Sequence, residues 1–124
     1  MRNVIEEKSF KFAVRVIKLY KYLTSDKKEY VLSKQLLRSG TSIGANVAEA
    51  QKAQSKPDFY TKMCIALKEA NETSYWLRLL KETDYLTQKE FEDIFSDADE
   101  IISILTAICK KYTNKIKFIM HSAL

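Results

Sequence analysis

A chain of 124 residues fits one domain with a sizeable core and is too short for two. Two glycines and one proline leave little material for the sharp turns of a many-stranded β fold, so long helices are expected. The net charge of +5 is unevenly placed: residues 1–56 hold twelve Lys/Arg against five Asp/Glu, and residues 57–124 hold nine against eleven. Such asymmetry is a hint of nucleic-acid contact.

The opening MRNVIEEKSF carries acid early and has no apolar core of a secretory signal. No apolar stretch approaches the roughly 20 residues of a membrane span, so no membrane partner is expected. Cys64 and Cys109 form no C-x-x-C motif and read as two reduced, buried thiols of a cytoplasmic protein. With His121 as the sole histidine, neither a metal site nor a cofactor is expected.

The first helix is predicted over about residues 7–23. Phe10, Phe12, Ala13, Val14, Val16, Ile17, Leu19, Tyr20 and Leu23 fill an arc of about 220°, where one bundle seam needs little more than 100°. The surplus implies a second buried contact, most simply another subunit. Lys8, Lys11, Arg15 and Lys18 occupy the remaining sector, either as a solvated face or as a nucleic-acid strip.

The second helix is predicted over about residues 29–52, with Asp26 as its cap and Glu29 three residues later. Leu36, Ile43, Val47 and Ala50 share one face. Gly40, Gly44 and Ala48 follow at strict spacings of four and form a ridge with almost no side chain. Each interior glycine costs roughly 1 kcal/mol relative to alanine, so something must approach this backbone closely. That something is a neighbouring helix or, on the sharper reading, a docked phosphate backbone or second subunit. Lys34, Arg38 and Lys52 line a second basic strip, partly offset by Glu49.

The third helix, about residues 56–81, starts at Ser55-Lys56-Pro57-Asp58, a serine cap with proline in the first turn. Its stripe is Phe59, Met63, Ala66, Leu67, Ala70, Ser74 and Leu77. Ile65, Trp76 and Leu79 fall on the other side and suggest another packing partner. The fourth helix, about residues 88–112, opens on the capping box Thr87-Gln88-Lys89-Glu90. Its apolar residues form a single seam, and Asp93, Asp97 and Glu100 form an acidic face read as solvated. Residues 113–124 are a Lys-rich tail that frays or extends the helix. Short connections between helices of this length force antiparallel neighbours, hence an all-α, up-and-down four-helix bundle.

Enzymatic readings fail on inventory. A Ser-His-Asp or Cys-His arrangement would need His121 to reach a structured nucleophile. Glu69/Glu72 and Asp97/Glu100 sit on charged helix faces and lack the inward Glu-x-x-His pattern of di-metal bundles. No Gly-rich loop follows a strand. No catalytic residue is therefore assigned.

The run S-K-Q-L-L-R-S-G-T-S-I-G-A-N-V-A-E-A, followed by D-F-Y-T-K-M-C-I-A-L-K-E-A-N-E-T-S-Y-W-L-R-L-L, resembles the 23S ribosomal RNA intervening-sequence protein family. The similarity runs from Phe10 to about Tyr112. Its most specific part is the R-S-x-x-S-I-x-x-N-V-A-E pattern, with polar members Arg38, Ser42, Asn46 and Glu49. Ala50 stands where the family usually has glycine, and alanine keeps the helix intact. The resemblance implies a bacterial four-helix bundle without an established biochemical role. It also implies kinship with the accessory variability protein of diversity-generating retroelements, a pentameric barrel that binds nucleic acid and partners a reverse transcriptase.

The expected function is thus a cytoplasmic, non-catalytic homopentamer binding RNA or DNA non-specifically through Lys8, Lys11, Arg15, Lys18, Lys34, Arg38 and Lys52. Phe12, Val16, Ile65, Trp76 and Leu79 are the expected subunit contacts. The alternative is a structural or adaptor bundle whose apolar outer faces bind a protein partner. Arg38, Asn46 and Glu49 are expected to form a local hydrogen-bonded network that fixes helix packing, with binding as the second reading.

Overall fold

The computed structural model describes residues 3–123. Among them it contains four helices, α1 (Val4–Ser25), α2 (Leu32–Ala50), α3 (Lys56–Glu82) and α4 (Gln88–Ala123). Each helix packs on its neighbour in the chain, and α4 closes the ring on α1 along the sparsest seam. This is an antiparallel bundle joined by short turns.

Local chemistry explains the helix starts. The Asn3 side chain accepts a hydrogen bond from the Glu6 N–H at 2.8 Å, so α1 begins a turn before its apolar pattern does. The Ser55 side chain accepts from the Asp58 N–H ahead of Pro57. Thr87 and Glu90 complete a reciprocal capping box, at 2.8 and 3.1 Å. The start of α2 departs from expectation: Glu29, not Asp26, is the cap. Its carboxylate lies in the turn before the helix and accepts from the N–H groups of Val31, Leu32 and Ser33 at 3.0, 2.8 and 2.7 Å. Both glycines are spent inside α2, so the turns use Lys28 and Asp84 in the left-handed region, at φ 56° and 67°.

The core is built from Phe12, Val16 and Leu23 of α1, Leu36, Ile43 and Val47 of α2, Met63, Ala70 and Leu77 of α3, and Ala98, Ile101 and Leu105 of α4. Thr73, rather than the expected Ser74, is the buried hydroxyl of α3. It donates to Ser39 across the α2–α3 seam at 2.9 Å. The ridge of α2 receives α1: a Cβ on Gly40 would lie 2.8 Å from both γ-carbons of Val16, and one on Gly44 would lie 3.1 Å from the Ser9 carbonyl oxygen. Ala48 is exposed and takes no part.

The expected state of the cysteines is corrected here, and of the two alternatives for the tail the structure shows extension. Cys64 and Cys109 are not free thiols but are paired as a disulfide between α3 and α4, with Cα atoms 5.7 Å apart. Antiparallel neighbours bring residues far apart in sequence to one level, which spacing alone does not reveal. The pairing also removes the thiol argument for a reducing compartment. Residues 113–123 continue α4 as helix and carry it past the bundle.

Candidate nucleic-acid interface

Part of the uneven charge is matched across the helix seams by surface ion pairs. Residues 1–56 carry +7, whereas residues 57–107 hold five Lys/Arg against eleven Asp/Glu, a balance of −6. Folding lays the first block against the second. Lys8 pairs with Glu100, and Arg15 pairs with both Asp93 and Asp97 across the α1–α4 seam. Arg38 pairs with Glu69 and Glu72 across the α2–α3 seam. The face Asp93, Asp97 and Glu100 lies at the surface, as read from sequence, and also supplies the counter-charge to Lys8 and Arg15 of α1.

These pairs leave the seven expected binding residues in different places. Lys8, Arg15 and Arg38 are engaged between helices, and Lys11 pairs with Glu7 one turn away on α1 at 2.9 Å. The hydrogen bond and charge of Glu100 hold the Lys8 ammonium above its ordinary pKa. Lys18 and Lys34 are exposed and make no ion pair with a described residue. Lys52 is also exposed, beyond the end of α2, at the opposite end of the bundle. Lys18 lies in the α1–α4 groove beside Glu90 and Asp93, and Lys34 on the first turn of α2. Lys21, Lys27 and Lys28 lie near the α1–α2 turn, all exposed and outside any described ion pair. The Lys27 ammonium sits 5.9 Å from the centre of the Tyr22 ring. The turn also holds Tyr30, 59% exposed.

The motif residues make separate local contacts rather than one network. The Ser42 hydroxyl donates to the Arg38 carbonyl at 2.6 Å, and the Asn46 amide donates to the Ser42 carbonyl at 2.8 Å. Glu49 pairs with Lys62 of α3 at 3.6 Å. Glu72 also accepts from the Trp76 indole N–H at 3.0 Å. That bond, helped by Arg38, outweighs burial and holds the Glu72 carboxyl below its ordinary pKa.

The expected subunit contacts divide. Phe12 and Val16 are core residues of this protomer, 1% and 0% exposed, and are not available to another subunit. The wide apolar arc of α1 is split: its inner half is core, while Phe10, Val14 and Ile17 are exposed on the outer side. Trp76 is half-buried and tied to Glu72. Ile65 is 38% exposed, and Leu79 lines a surface groove with Tyr75, Phe91 and Phe95.

An all-α antiparallel four-helix bundle with ion pairs across its α1–α4 and α2–α3 seams defines the class. The profile of the 23S rRNA-intervening sequence protein family matches residues 1–107, and the chain belongs to that family. It is similar to a crystal structure of a protein with unknown function from the S23 ribosomal protein family of Bacteroides thetaiotaomicron. The two share 56% identity with a TM-score of 0.85, over 86% of this chain and 99% of that one. No curated protein matches the chain.

Proposed function

We propose that this protein is a non-catalytic, homo-oligomeric bundle that binds RNA or DNA without sequence preference. The observation that carries the reading is the set of exposed lysines Lys18, Lys21, Lys27, Lys28 and Lys34 on the last turns of α1, the first turn of α2 and the turn between them, none of which makes an ion pair with a described residue. Phosphate backbones need little more than such a group, and counterion release makes the affinity salt-dependent. Tyr30 offers a ring on which a base can stack. A cytoplasmic location belongs to the same proposal.

The test is a mobility shift with RNA and with DNA at low and physiological salt. Replacing Lys18, Lys27, Lys28 and Lys34 by glutamine should weaken binding and lower the salt slope by about three to four units. The melting temperature should stay unchanged, because none of the four pairs across a seam. Absence of any shift at low salt would reject nucleic-acid binding and leave the adaptor reading, which the exposed Val14, Ile17, Ile65 and Tyr75 favour.

Self-association is the second part of the proposal, and five copies follow from the resemblance to the retroelement accessory protein. Light scattering should give a mass several times 14.4 kDa. Val14→Glu with Ile17→Glu should dissociate the assembly without unfolding the protomer. A wild-type monomer at micromolar concentration would overturn it.

A further inference from the structure

The last turns of α4 hold the charge that the bundle leaves over. Residues 1–107, the part shared with the family, contain seventeen Lys/Arg and all sixteen Asp/Glu, a balance of +1. Residues 108–124 contain Lys110, Lys111, Lys115 and Lys117 and no acid, a balance of +4. The core stripe of α4, which runs through Ile101 and Leu105, continues through Tyr112 into Ile116, Ile119 and Met120. There it has nothing opposite: every residue from Thr113 to Ser122 is exposed, Ile119 at 57% and Met120 at 63%. The four lysines flank this stripe on both borders, about 90–130° from its centre on an ideal helix. The extension leaves the bundle from a firm base, where Tyr112 stacks on Tyr60 at 4.5 Å one turn after the Cys64–Cys109 link.

We infer that residues 112–121 form a peripheral membrane-binding element for bilayers rich in anionic lipid. Ile116, Ile119 and Met120 enter the boundary between headgroups and acyl chains, and the flanking lysines reach the headgroup phosphates. An apolar stripe bordered by lysines suits an element lying in the plane of such a surface. No helix among the described residues is long and apolar enough to span a membrane, and an in-plane element needs no span. Nucleic acid satisfies the lysines but leaves the stripe in water. A second copy joined extension to extension is disfavoured because each carries +4 and no acid, so the two would repel. The inference is independent of nucleic-acid binding at the other end of the bundle.

The test is co-sedimentation of the full chain with phosphatidylglycerol/phosphatidylcholine vesicles and with pure phosphatidylcholine vesicles. Binding is expected to the first and not to the second. It should fall on the order of a hundredfold in Lys110→Gln/Lys111→Gln/Lys115→Gln/Lys117→Gln and also in Ile119→Glu/Met120→Glu. Circular dichroism should show both variants folded, since all six positions are exposed. No binding to anionic vesicles at low salt overturns the proposal. So does binding that survives Ile119→Glu/Met120→Glu, which would be adsorption by charge alone. Two further results, each without vesicle binding, also overturn it: a smaller solution mass in that apolar variant, which assigns the stripe to a second copy, and loss of the RNA shift in the lysine variant, which assigns the lysines to nucleic acid.

Discussion

Gly40→Leu should destabilise the bundle by about 3 kcal/mol, the upper end of overpacking costs, and lower the melting temperature by roughly 10 °C. A Cβ at this position already lies 2.8 Å from both γ-carbons of Val16, and Val16 is completely buried. Valine is stiff about χ1, so it has no spare rotamer into which to retreat. Relief requires α1 to move away from α2, which opens the core along Phe12 and Ile43. Even Gly40→Ala should lose stability, although alanine is favoured by about 1 kcal/mol on helix propensity. Gly44→Leu should cost about 1–3 kcal/mol, because the obstacle is the Ser9 carbonyl and hence backbone. Thermal melts followed by circular dichroism check both. A Gly40→Leu protein that melts like the wild type and loses only nucleic-acid or partner binding would make the ridge a docking surface after all.

The ridge shows what was legible in the sequence. Two glycines four residues apart announced a close approach, and the 3.6-residue period announced four amphipathic helices. Pro57 and the Thr87–Glu90 box marked two helix starts. These signals are local, so one chain suffices to read them. What failed was the assignment of faces. The period of α1 put nine apolar residues on one broad arc, but it did not say which half points inward. Phe12 and Val16 were assigned to a partner, and the structure places them in the core while exposing Val14 and Ile17. Charge was misread for the same reason. Arg15 and Asp97 are 82 positions apart, and neither segment alone reveals that they meet. A basic helix and an acidic helix in one small bundle form a clue to each other, and neither is a surface until the other has been placed. The lysines around the α1–α2 turn remained in view only once those pairs were drawn.

Glu29→Ala should cost about 2–3 kcal/mol, a large loss for one residue in a turn. The side chain is 6% exposed and accepts three backbone N–H bonds at the start of α2, where Val31 provides no side-chain cap. Alanine removes the cap and leaves donors without partners, and each effect alone is worth about 1–2 kcal/mol. Glu29→Gln keeps one oxygen and should cost less. The charge makes the cap pH-dependent. Burial would raise the carboxyl's pKa, but the N–H bonds from Leu32, Ser33 and Val31 outweigh it and hold the group below its ordinary value of 4.5. A carboxyl depressed on folding contributes stability that is complete above its unfolded pKa and is lost as pH falls through the folded one. Melting temperature should therefore hold down to about pH 5 and then decline. In Glu29→Gln the decline should be shallower, the remainder coming from Glu72, whose pKa is also depressed. Identical acid limbs for the two proteins would show that the carboxylate does not cap α2 in solution. The same turn carries Lys27 and Lys28, so a loosened cap should also weaken the nucleic-acid shift at neutral pH. Glu29→Ala would then lose binding through disorder of the turn, whereas the lysine-to-glutamine variant would lose it with the melting temperature unchanged.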